Sequence, residues 1–134
     1  MAETKKDIQQ EYAKLQMLDE QIKMLQKQLE TYEAQLVEIM NMKTAIEEFS
    51  KVRPGTEMLV PIGPGIFVKG SVMDTKNLTI SVGAGTAVSK TLDEGKGLLD
   101  LQARDVEQAR MTVLKETERI IEQARKIEKE ILSA

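Results

Sequence analysis

The chain has 134 residues; 31% are charged and only 3% aromatic, with two Phe, two Tyr and no Trp. A formal net charge of −3 excludes a general electrostatic pull towards nucleic acid, and the absence of Cys and His removes disulfides, thiol nucleophiles and the usual transition-metal donors. Such a composition fills a compact core poorly, so one architectural unit of extended shape is expected. No apolar run approaches the roughly 20 residues of a membrane span. The opening stretch MAETKKDIQQEY lacks the apolar core of a signal peptide. The expectation is a cytoplasmic protein with no membrane and no nucleic-acid partner.

The first element is a helix over about residues 5–51. Residues 5–50 hold neither Gly nor Pro. A heptad register places Ile8, Leu15, Ile22, Leu29, Leu36 and Lys43 at a, and Glu11, Leu18, Leu25, Tyr32, Ile39 and Ile46 at d. Ten of these twelve are apolar, and the positions between them are mostly Lys, Glu and Gln. That pattern is a narrow coiled-coil seam. At 1.5 Å per residue the helix would be about 70 Å long. Thr4 and Asp7 fit a capping box at its start, and Val52-Arg53-Pro54-Gly55 ends it, because Pro disfavours helix in the residue before it.

The chemistry changes over residues 57–90. Met58–Ile62 and Ile66–Val72 are β-type runs separated by Gly63-Pro64-Gly65. Leu78–Val82 alternates apolar and polar, and Thr86–Lys90 follows after Gly83-Ala84-Gly85. Asp74-Thr75-Lys76-Asn77 has turn chemistry. Two hairpins in series are predicted. Two hairpins alone neither bury their apolar faces nor satisfy their edges. Val60, Ile62, Ile66, Val68, Val72, Leu78, Ile80, Val82 and Val88 therefore need cover, and the expected source is the same block of other subunits.

A second helix is predicted over about residues 91–132. Its seam is Leu99, Ala103, Val106, Arg110, Val113, Thr117, Ile120, Ala124, Ile127 and Ile131, eight of ten apolar. Thr91 and Glu94 fit a capping box. Gly95 and Gly97 fall in its first turns, each costing about 1 kcal/mol against Ala, and they imply either a loose base or a close contact. The two seams are about equally long and flank the β block. The simplest arrangement is an antiparallel helical hairpin with both termini at one tip; pairing of each helix with other chains is the alternative. The fold class is α+β: two long helices form an antiparallel coiled coil, and two short β-hairpins join them and serve as the oligomeric assembly platform. Residues 1–134 form a single unit in this reading.

Phosphate-loop chemistry is poorly supported. Gly63-Pro64-Gly65 and Gly83-Ala84-Gly85 have Val68 and Val88 where a third Gly is required. A loop aligned on Lys90-Thr91 would need Gly at Ala84 and Ser89. The adjacent acids Asp19-Glu20 and Glu47-Glu48 diverge on a helix and read as solvated. Arg104, Arg110, Arg119 and Arg125 alternate with Glu, which suits ion pairing rather than a phosphate track.

Two long terminal helices around a β block containing Val60-Pro61-Ile62-Gly63-Pro64-Gly65-Ile66-Phe67-Val68 resemble the α-type subunits of the prefoldin family in their archaeal form. The resemblance covers essentially the whole chain, and its specific part is the Val-Pro-Ile-Gly to Phe-Val phrase. It implies an ATP-independent chaperone of two α-type and four β-type subunits, with no cofactor. Coiled coils would hang from a double β-barrel, hold unfolded client polypeptides at their tips and deliver them to a group II chaperonin. The client-binding residues implied are Ile8, Tyr12, Leu15, Met17 and Leu18 on the first helix. On the second they are Ile120, Ile121, Ala124, Ile127, Ile131 and Leu132. Met17, Met24, Ile121 and Leu132 lie off the seams, and flexible Met suits contact with many different chains. The competing reading is a structural coiled-coil adaptor with a β oligomerisation module.

Overall fold

The computed structural model describes residues 2–133, in the order α1 (Ala2–Phe49), β1 (Glu57–Gly63), β2 (Ile66–Ser71), β3 (Asn77–Gly83), β4 (Thr86–Thr91) and α2 (Leu92–Ser133). Helix α1 ends two residues before the expected bound. Lys51 and Val52 donate to the carbonyls of Glu48 and Phe49 at 3.1 and 3.0 Å, so the last turn tightens before Pro54. Thr4 lies inside α1 rather than at its cap, and its side chain is outside the described residues.

The heptad reading of α1 holds along its length. All twelve named seam positions are buried or half-buried, as is Phe49, while the positions between them are exposed. The ten seam positions of α2 are likewise buried or half-buried. The two charged positions of the α1 seam are accommodated by pairing. Lys43 meets Asp100 of α2 at 2.5 Å, and Glu11 meets Lys14 at 3.5 Å. The hydrogen bond to Asp100 holds the Lys43 ammonium above its ordinary range. A polar pair at a seam position favours one register over its neighbours. Thr117 is buried, and its hydroxyl donates to the Val113 carbonyl at 2.7 Å, so it leaves no orphan group in the seam.

The residues divide into two compact units, one of residues up to Val37 with those from Arg104 onward, the other Glu38–Ala103. The first is coiled coil, with Ile120 and Ala124 buried in it. The second holds the four strands and the adjoining helical turns. There Lys96 of α2 lies 4.0 Å from Glu47 of α1, in the same antiparallel sense as the Lys43–Asp100 pair. Gly95 is a close contact. A Cβ at that position would lie 2.6 Å from Leu78 Cδ1 and 3.7 Å from Ile46 Cδ1. Gly97, two residues on, has nothing within 4 Å. A Gly95→Leu chain is expected to lose about 1–3 kcal/mol despite its better helix propensity, because Leu78 and Ile46 must move. Urea unfolding measures this; an unchanged midpoint would mean that Leu78 yields freely.

The strands form two separate antiparallel hairpins, β1–β2 and β3–β4. Their registers are the same with every residue number raised by 20: Glu57 pairs with Ser71 and Asn77 with Thr91, through to Gly63 with Ile66 and Gly83 with Thr86. Each carries an irregularity just before its first turn glycine, at Ile62 and Val82. The turns differ. Gly65 follows Pro64 at φ +72°, whereas Ala84 and Gly85 both have positive φ, at +53° and +72°, the pattern of a type I′ hairpin turn.

Asp74 ties the link between the hairpins. One carboxylate oxygen accepts from the Lys76 and Asn77 backbone N–H groups at 2.8 and 3.2 Å, the other from the Asn77 amide at 3.0 Å. The Asn77 side chain first, then the Lys76 N–H, lower its pKa below the ordinary 3.8. A lowered folded-state value means that this stabilisation is complete above the ordinary value and fades as pH falls through the folded one. Asp74→Asn keeps one acceptor and removes the titration. Its stability relative to the parent chain should therefore rise on acidification below about pH 4. Parallel loss of stability in both chains would mean that Asp74 is not a source of the acid sensitivity.

Candidate functional site

Two sets of uncovered apolar side chains stand out, one in each unit. The first is on the hairpins. In β1–β2, Val60 sits opposite Val68 and Met58 opposite Gly70, which defines one face. Leu59 opposite Lys69 and Pro61 opposite Phe67 define the other. Met58, Leu59, Val60, Ile66, Phe67 and Val68 are all exposed, so both faces of this ribbon are apolar and open. In β3–β4 the face carrying Leu78, Ile80 and Val88 is half-buried, while the other face carries Thr79, Ser81, Ala87 and Ser89.

Of the residues expected to drive assembly, the structure leaves Val60, Ile62, Ile66, Val68 and Val82 exposed and half-covers Val72, Leu78, Ile80 and Val88. Leu78 owes part of its cover to the bare backbone at Gly95. Leu59 and Phe67 were missed by the strand alternation, which assigns one apolar face per strand; Met58, on the Val60 face, was left out although the alternation includes it. Superposing the two hairpin sequences at an offset of 20 exposes the omission, because Leu59 and Phe67 then fall opposite Thr79 and Ala87.

The second set lies toward the start of α1 and the end of α2. Tyr12, Met17 and Leu132 are 55%, 63% and 86% exposed. Ile8, Leu15, Leu18, Ile121, Ile127 and Ile131 are half-buried, and Ile120 and Ala124 are buried. The exposed members are therefore available directly, whereas the seam members become available only where the helices part. Met24 is exposed as well and lines a groove of about 300 Å³ with Leu25 and Ile120.

Three of the four arginines of α2 pair as their spacing suggests, whereas Arg104 has no ion-pair partner among the described residues. Arg110 lies 3.7 Å from Glu107, Arg125 lies 4.0 Å from Glu122, and Arg119 makes two hydrogen bonds to Glu116. Both Gly-rich turns close hairpins, so neither forms a phosphate cradle ahead of a helix. Thr91 caps α2, accepting from the Glu94 N–H at 3.1 Å, while the Glu94 carboxylate lies 3.7 Å from Lys90. Among the described residues no group of three or more acidic side chains is placed to hold a metal ion. No helix there is long and apolar enough to cross a membrane.

Residues 18–133 match the prefoldin subunit family. The chain is 32% identical over 110 residues to prefoldin subunit alpha of Pyrococcus horikoshii, covering 81% of this chain and 74% of that one. It is 35% identical over 105 residues to prefoldin subunit alpha 1 of Thermococcus kodakarensis, covering 78% and 72%. Prefoldin subunit alpha of Thermofilum pendens aligns over 131 residues at 24% identity, 98% of this chain and 99% of that one. Among solved structures, a chain of the filamentous PFD of Methanocaldococcus jannaschii shares the fold, with a TM-score of 0.77 at 17% identity over 92% of this chain and 99% of that one.

Proposed function

Because the chain belongs to the prefoldin family of chaperone subunits, we propose that it is the two-hairpin subunit of an ATP-independent holdase that captures unfolded polypeptides and passes them to a group II chaperonin. The observation that carries this reading is the open, two-faced apolar ribbon β1–β2. A two-stranded ribbon of that kind is stable only when covered. Cover from four β-type subunits and a second α-type subunit would build the β-barrel platform. Clients would be held by the apolar residues toward the start of α1 and the end of α2, with Tyr12, Met17 and Leu132 making the first contact. Unfolded chains offer apolar surface of no fixed sequence, and flexible Met adapts to it.

Aggregation followed by light scattering tests this. The assembled complex should suppress aggregation of several unrelated unfolded proteins without nucleotide. Raising salt from 0.05 to about 0.5 M should change the required molar ratio less than twofold, since apolar contacts are not screened. Protection confined to a single client, or lost in salt, would favour a structural adaptor with one fixed partner.

A further inference from the structure

The chain keeps its methionines out of its core. It has eight, and the seven from Met17 to Met111 are all exposed. Methionine is among the residue types most often fully buried, yet the apolar seam positions here are filled by Leu, Ile, Val, Ala and one Tyr. With no Cys, His or Trp in the chain, the exposed thioethers are its most readily oxidised side chains.

Two of them share one face in the first unit. Met17 and Met24 are 63% and 66% exposed. Seven residues apart, they lie on one stripe of α1, about 10 Å from each other along its axis, with Gln21 between them. Met24 enters a groove of about 300 Å³ whose other lining residues are Gln21, Leu25, Gln28, Glu116, Arg119 and Ile120. Glu116 and Arg119 hydrogen-bond to each other. The groove therefore presents thioether, amide and aliphatic surface, with its one acid and one base already paired. Neither sulfur belongs to the seam, so oxidising it alters this surface and leaves the coiled coil packed.

We propose that Met17 and Met24 are sites of reversible sulfoxidation by hydrogen peroxide, and that this modification lowers the subunit's hold on unfolded clients. The thioether sulfur attacks one peroxide oxygen: an S–O bond forms and the O–O bond breaks. The sulfur gives up two electrons, and the departing hydroxide takes the proton of the transferred oxygen and leaves as water. The product is polar and chiral where the thioether was flexible and apolar, so it loses the adaptable apolar contact that suits clients of no fixed sequence. Methionine sulfoxide reductases reverse the step: two thiols are oxidised to a disulfide and the oxygen leaves as water. The inference rests on the client-holding reading above and adds a redox control to that surface.

The assembled complex is treated with hydrogen peroxide, the peroxide is removed, and sulfoxides are mapped by peptide mass. Sulfoxide is expected at positions 17 and 24, with helicity by circular dichroism unchanged. Light scattering should then show that the molar ratio needed to prevent aggregation has risen roughly threefold or more over the untreated complex. The two methionine sulfoxide reductases, one for each epimer, with a dithiol should restore the original ratio. A complex carrying Met17→Leu and Met24→Leu, compared only with its own untreated state, should show no such rise. That variant leaves every other methionine of the complex oxidisable, so it isolates these two sites. No sulfoxide at 17 and 24, an unchanged ratio in the oxidised parent, an equal rise in the leucine variant, or a loss that the reductases leave in place overturns the proposal. A complex that protects no client before any treatment overturns the chaperone reading, and this inference with it.

Discussion

A chain carrying Val60→Asp and Val68→Asp is expected to sediment as a single chain, with its helical signal intact. The two residues face each other across β1–β2, on the face that the proposed barrel buries. In the free chain the change is mild, because both sites are open to water; like charges directly opposite cost up to about 1 kcal/mol. In the assembly two carboxylates would be buried without partners, at several kcal/mol each. That difference between the two states is what makes the substitution selective for assembly. Val60→Thr with Val68→Thr keeps the β-branched shape and adds no charge, so this chain should retain most of its assembly. Analytical ultracentrifugation reads the result. An intact oligomer with both aspartates in place would move the subunit contact away from this ribbon.

The second large effect is expected in the first unit. Tyr12→Ser, Met17→Gln and Leu132→Gln together should leave assembly and coiled coil unchanged and raise the molar ratio needed to prevent aggregation by at least tenfold. All three side chains are exposed, so the seam does not depend on them. Each contributes about 1.5–3 kcal/mol when fully buried against a client. Weak single contacts gain strength when several arms hold one chain, and the loss is multiplied in the same way. Ile120→Ala is the informative contrast. Ile120 is buried in the seam, so its truncation should lower stability by about 2–5 kcal/mol. If the triple substitution protects clients as well as the parent does, capture lies elsewhere on the chain.

The coiled coil was legible in the sequence because its signal is local and repeated. Every seam position named from spacing is shielded in the structure, including the charged Lys43 and Glu11. The hairpins were legible through β-branched runs and their Pro-Gly and Gly-Ala-Gly turns, with strand ends displaced by only a residue or so. Three kinds of information were not local. The reason for Gly95 is the distance to Leu78, which belongs to a different element. The partner of Lys43 is Asp100, 57 positions away. The part-cover of Leu78, Ile80 and Val88 by the chain itself depends on how the hairpin is set against its helices, which strand alternation does not encode. The separation of Met17 from Leu18 was, by contrast, legible: they are neighbours of similar hydrophobicity, and the heptad phase already puts Met17 off the seam and Leu18 on it, as their exposure bears out.

The repetition of one hairpin register at an offset of 20 has a consequence for how many subunits one chain joins. In the assembly proposed above, a subunit with a single hairpin would take part in one barrel only. Two hairpins of one register on one polypeptide would let it enter two, linking what the single-hairpin subunits would not. The ratio of two-hairpin to single-hairpin chains would then set the size of the particle, and a shift in the supply of either kind of chain would change that size without any change in the contacts themselves.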